Sequence, residues 1–246
     1  TIASGIHFSA SLLVFSAFLF ILLKYWYPEP LFTASGGLQG LKLVILVDLI
    51  LGPLLTFILF DRTKSLSNKI IDYGFILFVQ IAALVWGINT VYEQRPVALV
   101  FWDEKFYTVP DHALLTHYKD NASYHALIKA SEIPLIYAQK PQNMENYNEM
   151  MRLINEENIA PHHQITRYSP MLTHFSKIKS FGIDIREFTS KNTDMKNDLE
   201  KILNSTQKTL DELIYIPLES KYQNIVLIFD PDGNQLGFIK APYKKE

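Results

Sequence analysis

Cysteine is absent from this protein of 246 residues, which excludes disulfides, thiolate metal sites and a cysteine nucleophile while leaving the compartment open. An excess of basic charge is absent too. The formal net charge is −2, so nothing in the composition points to a nucleic-acid partner. The sequence has no nucleophile elbow, no P-loop and no dinucleotide fingerprint. His112, His117 and His125 form one group of histidines and His162, His163 and His174 another, but neither group has a ligand spacing or a supporting acidic motif. They read as ordinary surface or interface histidines. The acids of the 193–212 stretch alternate with Lys196, Lys201 and Lys208, the pattern of a solvated helix face. The expectation is therefore a protein with no catalytic residues, no metal and no cofactor.

What the sequence does have is apolar residues, unevenly placed. Residues 1–92 are strongly apolar and the remainder reads as an ordinary soluble domain. Three runs stand out, at 6–26, 38–60 and 70–91. At ~1.5 Å rise per residue each is long enough for the ~30 Å core of a bilayer. The first is too long for a signal peptide and ends in Lys24-Tyr25-Trp26-Tyr27-Pro28, the mark of an interfacial aromatic anchor. The expected fold is three transmembrane helices, about 6–26, 39–60 and 70–91, in a membrane domain of residues 1–94. A C-terminal periplasmic α+β domain with a mainly antiparallel sheet, residues 95–246, would follow.

The second run carries one acid, Asp48, and a Gly52-Pro53 pair one turn later. A carboxylate near mid-membrane costs at least ~2.5 kcal/mol and usually faces protein. Gln80 falls at similar depth in the third run, so the two helices are expected to be neighbours with Asp48 near Gln80. Pro53 removes a backbone hydrogen bond and Gly52 allows close approach, which together suit a kink. Asp48 has two readings. It ties helices together through Gln80 or a carbonyl, or it lines a groove for another protein's helix. A single acid without further ionisable groups argues against a transporter. The 61–69 loop holds Arg62, Lys64 and Lys69, whereas no Lys or Arg stands between Tyr25 and Lys42. Positive charge then places that loop in the cytoplasm and everything after Tyr92 on the far side.

In the second domain, 97–101 and 106–109 read as a hairpin around Asp103-Glu104-Lys105, and 224–229 and 235–239 as another around Asp230-Pro231-Asp232-Gly233. The two units look alike and suggest paired hairpins in one sheet. Helices are expected at 144–157, at 170–180 with Ser169 as cap, and at 193–211. Further strands are expected at 182–188 and 213–218.

An ordered string of motifs runs through the first half. It comprises Trp26-Tyr27-Pro28, Pro30-Leu31, Gly36-Gly37, Gly40-Leu41, Val47-Asp48, Leu51-Gly52-Pro53-Leu54-Leu55-Thr56 and Gln94-Arg95-Pro96-Val97-Ala98-Leu99-Val100-Phe101. This string resembles the TfpX/TfpZ (FimB-like) family of type IV pilin accessory proteins, as do Tyr215-Ile216-Pro217-Leu218 and the hairpin from Asp230 to Gly237. The resemblance implies an inner-membrane protein that assists pilus biogenesis by acting on its pilin, with no catalytic residues to carry over. It also implies a partner held in the bilayer by one N-terminal apolar helix, with its head in the periplasm.

Together these readings make a pilin-specific chaperone or assembly factor the leading expectation. Its partners would be the pilin and the lipid bilayer, with Asp48, Gln80, Gly52, Pro53, Trp26 and Arg95 as candidate partner-binding residues. A membrane-anchored envelope sensor is the alternative, though the short 61–69 loop leaves little for a cytoplasmic output. An enzyme that modifies pilin is a third reading and would need acid/base or metal residues converging in a cleft.

Overall fold

Long apolar runs form long helices, and a proline inside such a run removes one backbone hydrogen bond. The computed structural model describes residues 2–59 and 66–244, which divide into two units, Thr1–Arg95 and Pro96–Glu246. In the first unit α1 (Ile2–Ile21) is apolar all round and continues into a π-helical turn, Leu22–Trp26. Two short helices follow, α2 (Leu31–Ala34) and α3 (Gly37–Val44), joined through Gly36 at a φ of 108°. A second π-helical stretch, Ile45–Leu51, leads into α4 (Gly52–Leu59), and α5 (Leu66–Glu93) closes the unit.

The π-helical stretch has a local cause. Pro53 has no N–H, and in a regular helix its ring would meet the carbonyl four residues back. The turn before it is widened, and the Gly52 N–H donates to the carbonyl of Val47, five residues back. The described residues correct the expected architecture. By length and composition two helical stretches, Phe8–Trp26 and Ile70–Glu93, could cross a membrane, and the apolar helix found between them, Gly37–Val47, is shorter. Three transmembrane helices are therefore not what the described residues show. The basic loop that set the expected orientation lies mostly in 60–65, outside the described residues.

The core of the first unit gathers Phe18, Leu22, Tyr27, Val44 and Val91. Tyr27 Oη donates to the Val91 carbonyl at 3.0 Å, which satisfies a buried hydroxyl. Gly40 lets α3 approach α5, since a Cβ there would stand 2.6 Å from Val91 Cγ2.

The second unit is built on one seven-stranded sheet of order β4-β3-β1-β2-β5-β6-β7. The strands are β1 (Pro96–Trp102), β2 (Lys105–Pro110), β3 (Leu135–Ala138), β4 (Tyr168–Pro170), β5 (Ile214–Glu219), β6 (Gln223–Phe229) and β7 (Gln235–Tyr243). Both expected hairpins lie in it. The first turns through Asp103 and Glu104, both at positive φ, as a two-residue hairpin loop demands. The sheet is mixed, which corrects the mainly antiparallel expectation. β1 pairs parallel with β3 and β2 parallel with β5, in registers such as Val100↔Ile136 and Phe106↔Leu218. Parallel neighbours need a crossover. Between β2 and β3 it is supplied by α6 (Asp111–Tyr118) and α7 (Ala122–Ile128), the second capped by the Asn121 side chain.

The remaining helices are α8 (Met144–Glu157), α9 (Phe175–Ile178), α10 (Ile185–Ser190) and α11 (Thr193–Thr206). Asn143 and Asn192 cap α8 and α11. The 182–188 segment is not a strand, because the Asp184 carboxylate accepts from the Arg186 N–H and starts α10. Ser169 caps nothing and lies in β4. The segment after it is a 3-10 turn, one turn of α-helix and another 3-10 turn up to Phe181. Side chains alternate along β1, so Ala98 and Val100 pack with Leu114 and Tyr124, while Phe101 joins an aromatic row through Phe106, Phe229 and Phe175. A separate cluster of Val226, Ile228 and Ile239 is covered by Ile185, Met195 and Leu199.

Candidate functional site

In the first unit α4 and α5 meet where a side chain is missing. A Cβ on Gly52 would lie 2.2 Å from Gln80 Nε2 and 2.7 Å from its Oε1, so the Gln80 amide rests directly on the Gly52 backbone. Gln80 is buried. Around this contact lies an apolar groove of about 300 Å³. One wall is Val47, Leu51, Gly52 and Leu55, and the other is Phe75, Ile76, Val79, Gln80 and Ala83. Spacings of three and four place the second set on one face of α5, while the first set spans the π-helical stretch and the first turn of α4. The walls are exposed, with Phe75 at 67%, Val79 at 46% and Leu55 at 43%. Chemically the groove offers apolar contact with one polar group set at its base.

Asp48 lies in the π-helical stretch and Pro53 in α4, but both side chains lie outside the described residues, so the expected meeting of Asp48 with Gln80 does too. Trp26 and Arg95 come together elsewhere in the unit, through a residue the sequence reasoning passed over. The Trp26 ring meets Tyr92 edge-on at 5.0 Å and Phe18 at 6.0 Å. The Arg95 guanidinium stands 3.6 Å from the centroid of the same Tyr92 ring, and its Nη1 donates to the Tyr92 carbonyl at 2.8 Å. Arg95 is buried in this stack. The signal that could have found it is the spacing of Tyr92 and Arg95, one turn apart at the end of α5.

Among the described residues no group of three or more His, Asp or Glu is placed to hold a metal ion. Two of the second unit's histidines are still unusual. The His162 ring stacks on Tyr107 at 4.2 Å, and His163 abuts His162 at 4.3 Å. Burial lowers the His162 pKa to about 3, with His163 adding to the effect. Burial also lowers His163 to about 4, with His112 and His117 adding. Glu219 is held below the usual carboxylate range chiefly by its bond to Lys105, 2.6 Å away.

No protein-family model and no solved structure matches this protein. Among curated proteins it is 28% identical over 239 residues to the fimbrial assembly protein of serogroup I from Dichelobacter nodosus, covering 94% of this chain and 91% of that relative. It is 41% identical over 98 residues to the fimbrial assembly protein of serogroups C1 and C2 from the same organism, covering 40% of this chain and 75% of that relative. The chain belongs to the fimbrial assembly protein family. Its similarity to the serogroup E1 member is also 41% over 98 residues, but spans only 38% of that relative. The match to the serogroup I member covers 94% of this chain and so runs through both units.

Proposed function

We propose that this protein assists assembly of a type IV fimbria by binding the fimbrial subunit, with the groove over Gln80 receiving the subunit's apolar helix. The observation that carries this reading is the groove itself: an apolar cleft between α4 and α5, open to its surroundings and carrying one buried amide, in a member of the fimbrial assembly family. The helices around it favour a lipid setting. Phe8–Trp26 and Ile70–Glu93 are apolar, and Leu13, Phe78 and Trp86 stand about 70% exposed, at 74%, 70% and 69%. Apolar surface of that extent would be an aggregation liability in water. A core helix of a soluble protein would instead be mostly covered.

With Ile70–Glu93 crossing an inner membrane and the basic 61–69 loop in the cytoplasm, the sheet unit stands in the periplasm beside the head of a membrane-held subunit. Within the family, the ordered motif string from Trp26 to Phe101 favours the TfpX/TfpZ pilin accessory proteins. The role is that of a chaperone, with no catalytic step.

Co-purification tests the proposal. Pulling down the tagged protein from cells making the fimbrial subunit should recover that subunit, and Gly52→Leu, which fills the groove base, should reduce recovery. Absence of the subunit, together with unchanged fimbriation on deletion, would overturn it.

A further inference from the structure

In the second unit a polar pocket of about 410 Å³ lies between the 139–142 loop and α8, and a cation is fixed into its wall. That cation is Arg167. Its Nη1 donates to Gln164 Oε1 at 3.2 Å, and its Nη2 donates to the carbonyl of Gln139. Its guanidinium carbon stands 4.6 Å from the centroid of Trp102. The Gln139 N–H donates to the Arg167 carbonyl at 2.9 Å, which extends the β3–β4 ladder by one rung and fixes the backbone beneath the side chain. Gln164 is fully buried and directs its amide nitrogen to the carbonyls of Met150 and Ile159, at 3.3 and 3.2 Å. That arrangement leaves its oxygen facing the arginine. The guanidinium is thus held in one orientation rather than swinging in solvent.

Among the described residues no carboxylate forms an ion pair with Arg167. The acid on the pocket wall, Glu149, is engaged by Arg152 through two bonds of 2.8 Å. The second cation on the wall, Lys140, has its ammonium 6.0 Å over the same Trp102 ring, and its ion pair with Asp103 is exposed and long at 3.6 Å. Arg167 is half-buried, and burial lowers its pKa. A cation taken partly out of water without a counter-ion carries an uncompensated desolvation cost. Its five N–H donors form a fork that fits a carboxylate, and two of them are used by the protein.

We infer that this pocket receives a carboxylate carried by a peptide, gripped by the Arg167 fork and Lys140, with the side-chain amides of Gln142 and Asn146 beside it for the peptide backbone. A lining rich in amides suits a peptide better than a free inorganic anion. The carboxylate has two possible sources, an Asp or Glu side chain or the free carboxyl terminus of a polypeptide. The inference rests on the second unit alone and does not depend on the groove between α4 and α5.

The test uses the full-length protein in detergent micelles with 15N in the tryptophan indoles. The Trp102 signal is assigned by its loss in Trp102→Phe. The probes are N-acetyl-Gly-Glu-Gly-amide, N-acetyl-Gly-Gly-Gly with a free carboxylate, N-acetyl-Gly-Gln-Gly-amide and inorganic phosphate. A saturable Trp102 shift is expected with at least one acidic peptide, about tenfold tighter than with the glutamine peptide. Whichever acidic peptide binds more tightly identifies the source. Arg167→Lys should weaken binding about tenfold, because it keeps the charge and loses the fork, and Arg167→Gln should weaken it further. If Arg167→Gln fails to fold by circular dichroism, Arg167→Lys and the glutamate–glutamine pair decide. Saturation by neither acidic peptide, equal binding of the glutamine peptide, binding of phosphate alone, or unaltered binding in Arg167→Lys would overturn the inference.

Discussion

Lowering the pH from 7 to 5 should loosen the sheet unit while its carboxylates are still ionised. The groups responsible are His162 and His163, whose folded pKa values are about 3 and about 4. An unfolded histidine titrates near ~6.5. At pH 5 the unfolded protein therefore binds protons at both positions and the folded protein does not. Stability rises with pH wherever the unfolded state binds more protons. The contribution is complete above about 6.5 and is lost as the pH falls toward the folded values. Over the roughly 1.5 pH units from 6.5 to 5, at about 1.4 kcal/mol each, one histidine loses about 2 kcal/mol. Both rings are partly exposed, so the pair is worth about 3 kcal/mol rather than the full sum. The readout is amide hydrogen exchange at Leu227 and Ile228, fully buried in β6. Their protection, corrected for the intrinsic rate, should fall about a hundredfold from pH 7 to pH 5. His162→Phe combined with His163→Asn keeps a ring on Tyr107 and should remove most of that fall. Equal protection at the two pH values, or the same fall in the double variant, would refute the reasoning.

Gly52→Ala should lower the melting temperature. Alanine ordinarily favours a helix by up to ~1 kcal/mol, but here its Cβ would meet the Gln80 amide 2.2 Å away, and that side-chain end must swing out of its buried place, for a net loss on the order of 1 kcal/mol. An unchanged or raised melting temperature would contradict the close approach. Trp26→Leu should cost about 1–2 kcal/mol through the lost edge contacts with Phe18 and Tyr92, and it should unsettle Arg95 on Tyr92, measured by thermal unfolding with Arg95→Ala as the comparison. Asn192→Ala removes the cap on the Met195 N–H and should cost about 1 kcal/mol, seen as faster exchange in the first turn of α11.

Much of this fold could be read from local pattern, and the misses share a cause. The apolar runs at 6–26 and 70–91 became helices because nothing in them competes with helix formation. The 38–60 run has the same composition and is helical where it is described, with a π-helical stretch at Ile45–Leu51 ahead of the Gly52-Pro53 pair that the sequence marks as a kink. Both hairpins were legible because their turns are local chemistry: adjacent positive-φ residues at Asp103 and Glu104, and an Asp230 carboxylate accepting from the Asp232 and Asn234 N–H groups. The sheet's mixed order was not legible. β3 is four residues long and takes its place by parallel pairing with β1 across the whole 111–134 segment, a contact with no local signature. At 182–188 the apolar pattern suggested a strand, while the Asp184 cap, a signal present in the sequence, specified a helix.

The site was legible only in part. The sequence singled out Gly52 and Gln80 as a helix kink and a mid-run polar residue, and the structure sets one upon the other. It also named Trp26 and Arg95, but not the Tyr92 ring between them. Arg167 escaped notice because a single arginine in a loop carries no motif. Its character comes from Gln164 and Trp102, which tertiary packing brings to it.

The central claim is that the cleft over Gln80 holds the apolar helix of the fimbrial subunit. The most direct measurement is photocrosslinking in cells that make that subunit, with the photoreactive residue at Leu55 or Val79 on the groove walls, or at Leu13, which is 74% exposed and lines no part of the groove. The account predicts a covalent adduct with the subunit's N-terminal apolar segment from positions 55 and 79 and none from position 13. Adducts to lipid alone from the groove positions, or equal capture of the subunit from position 13, would contradict it.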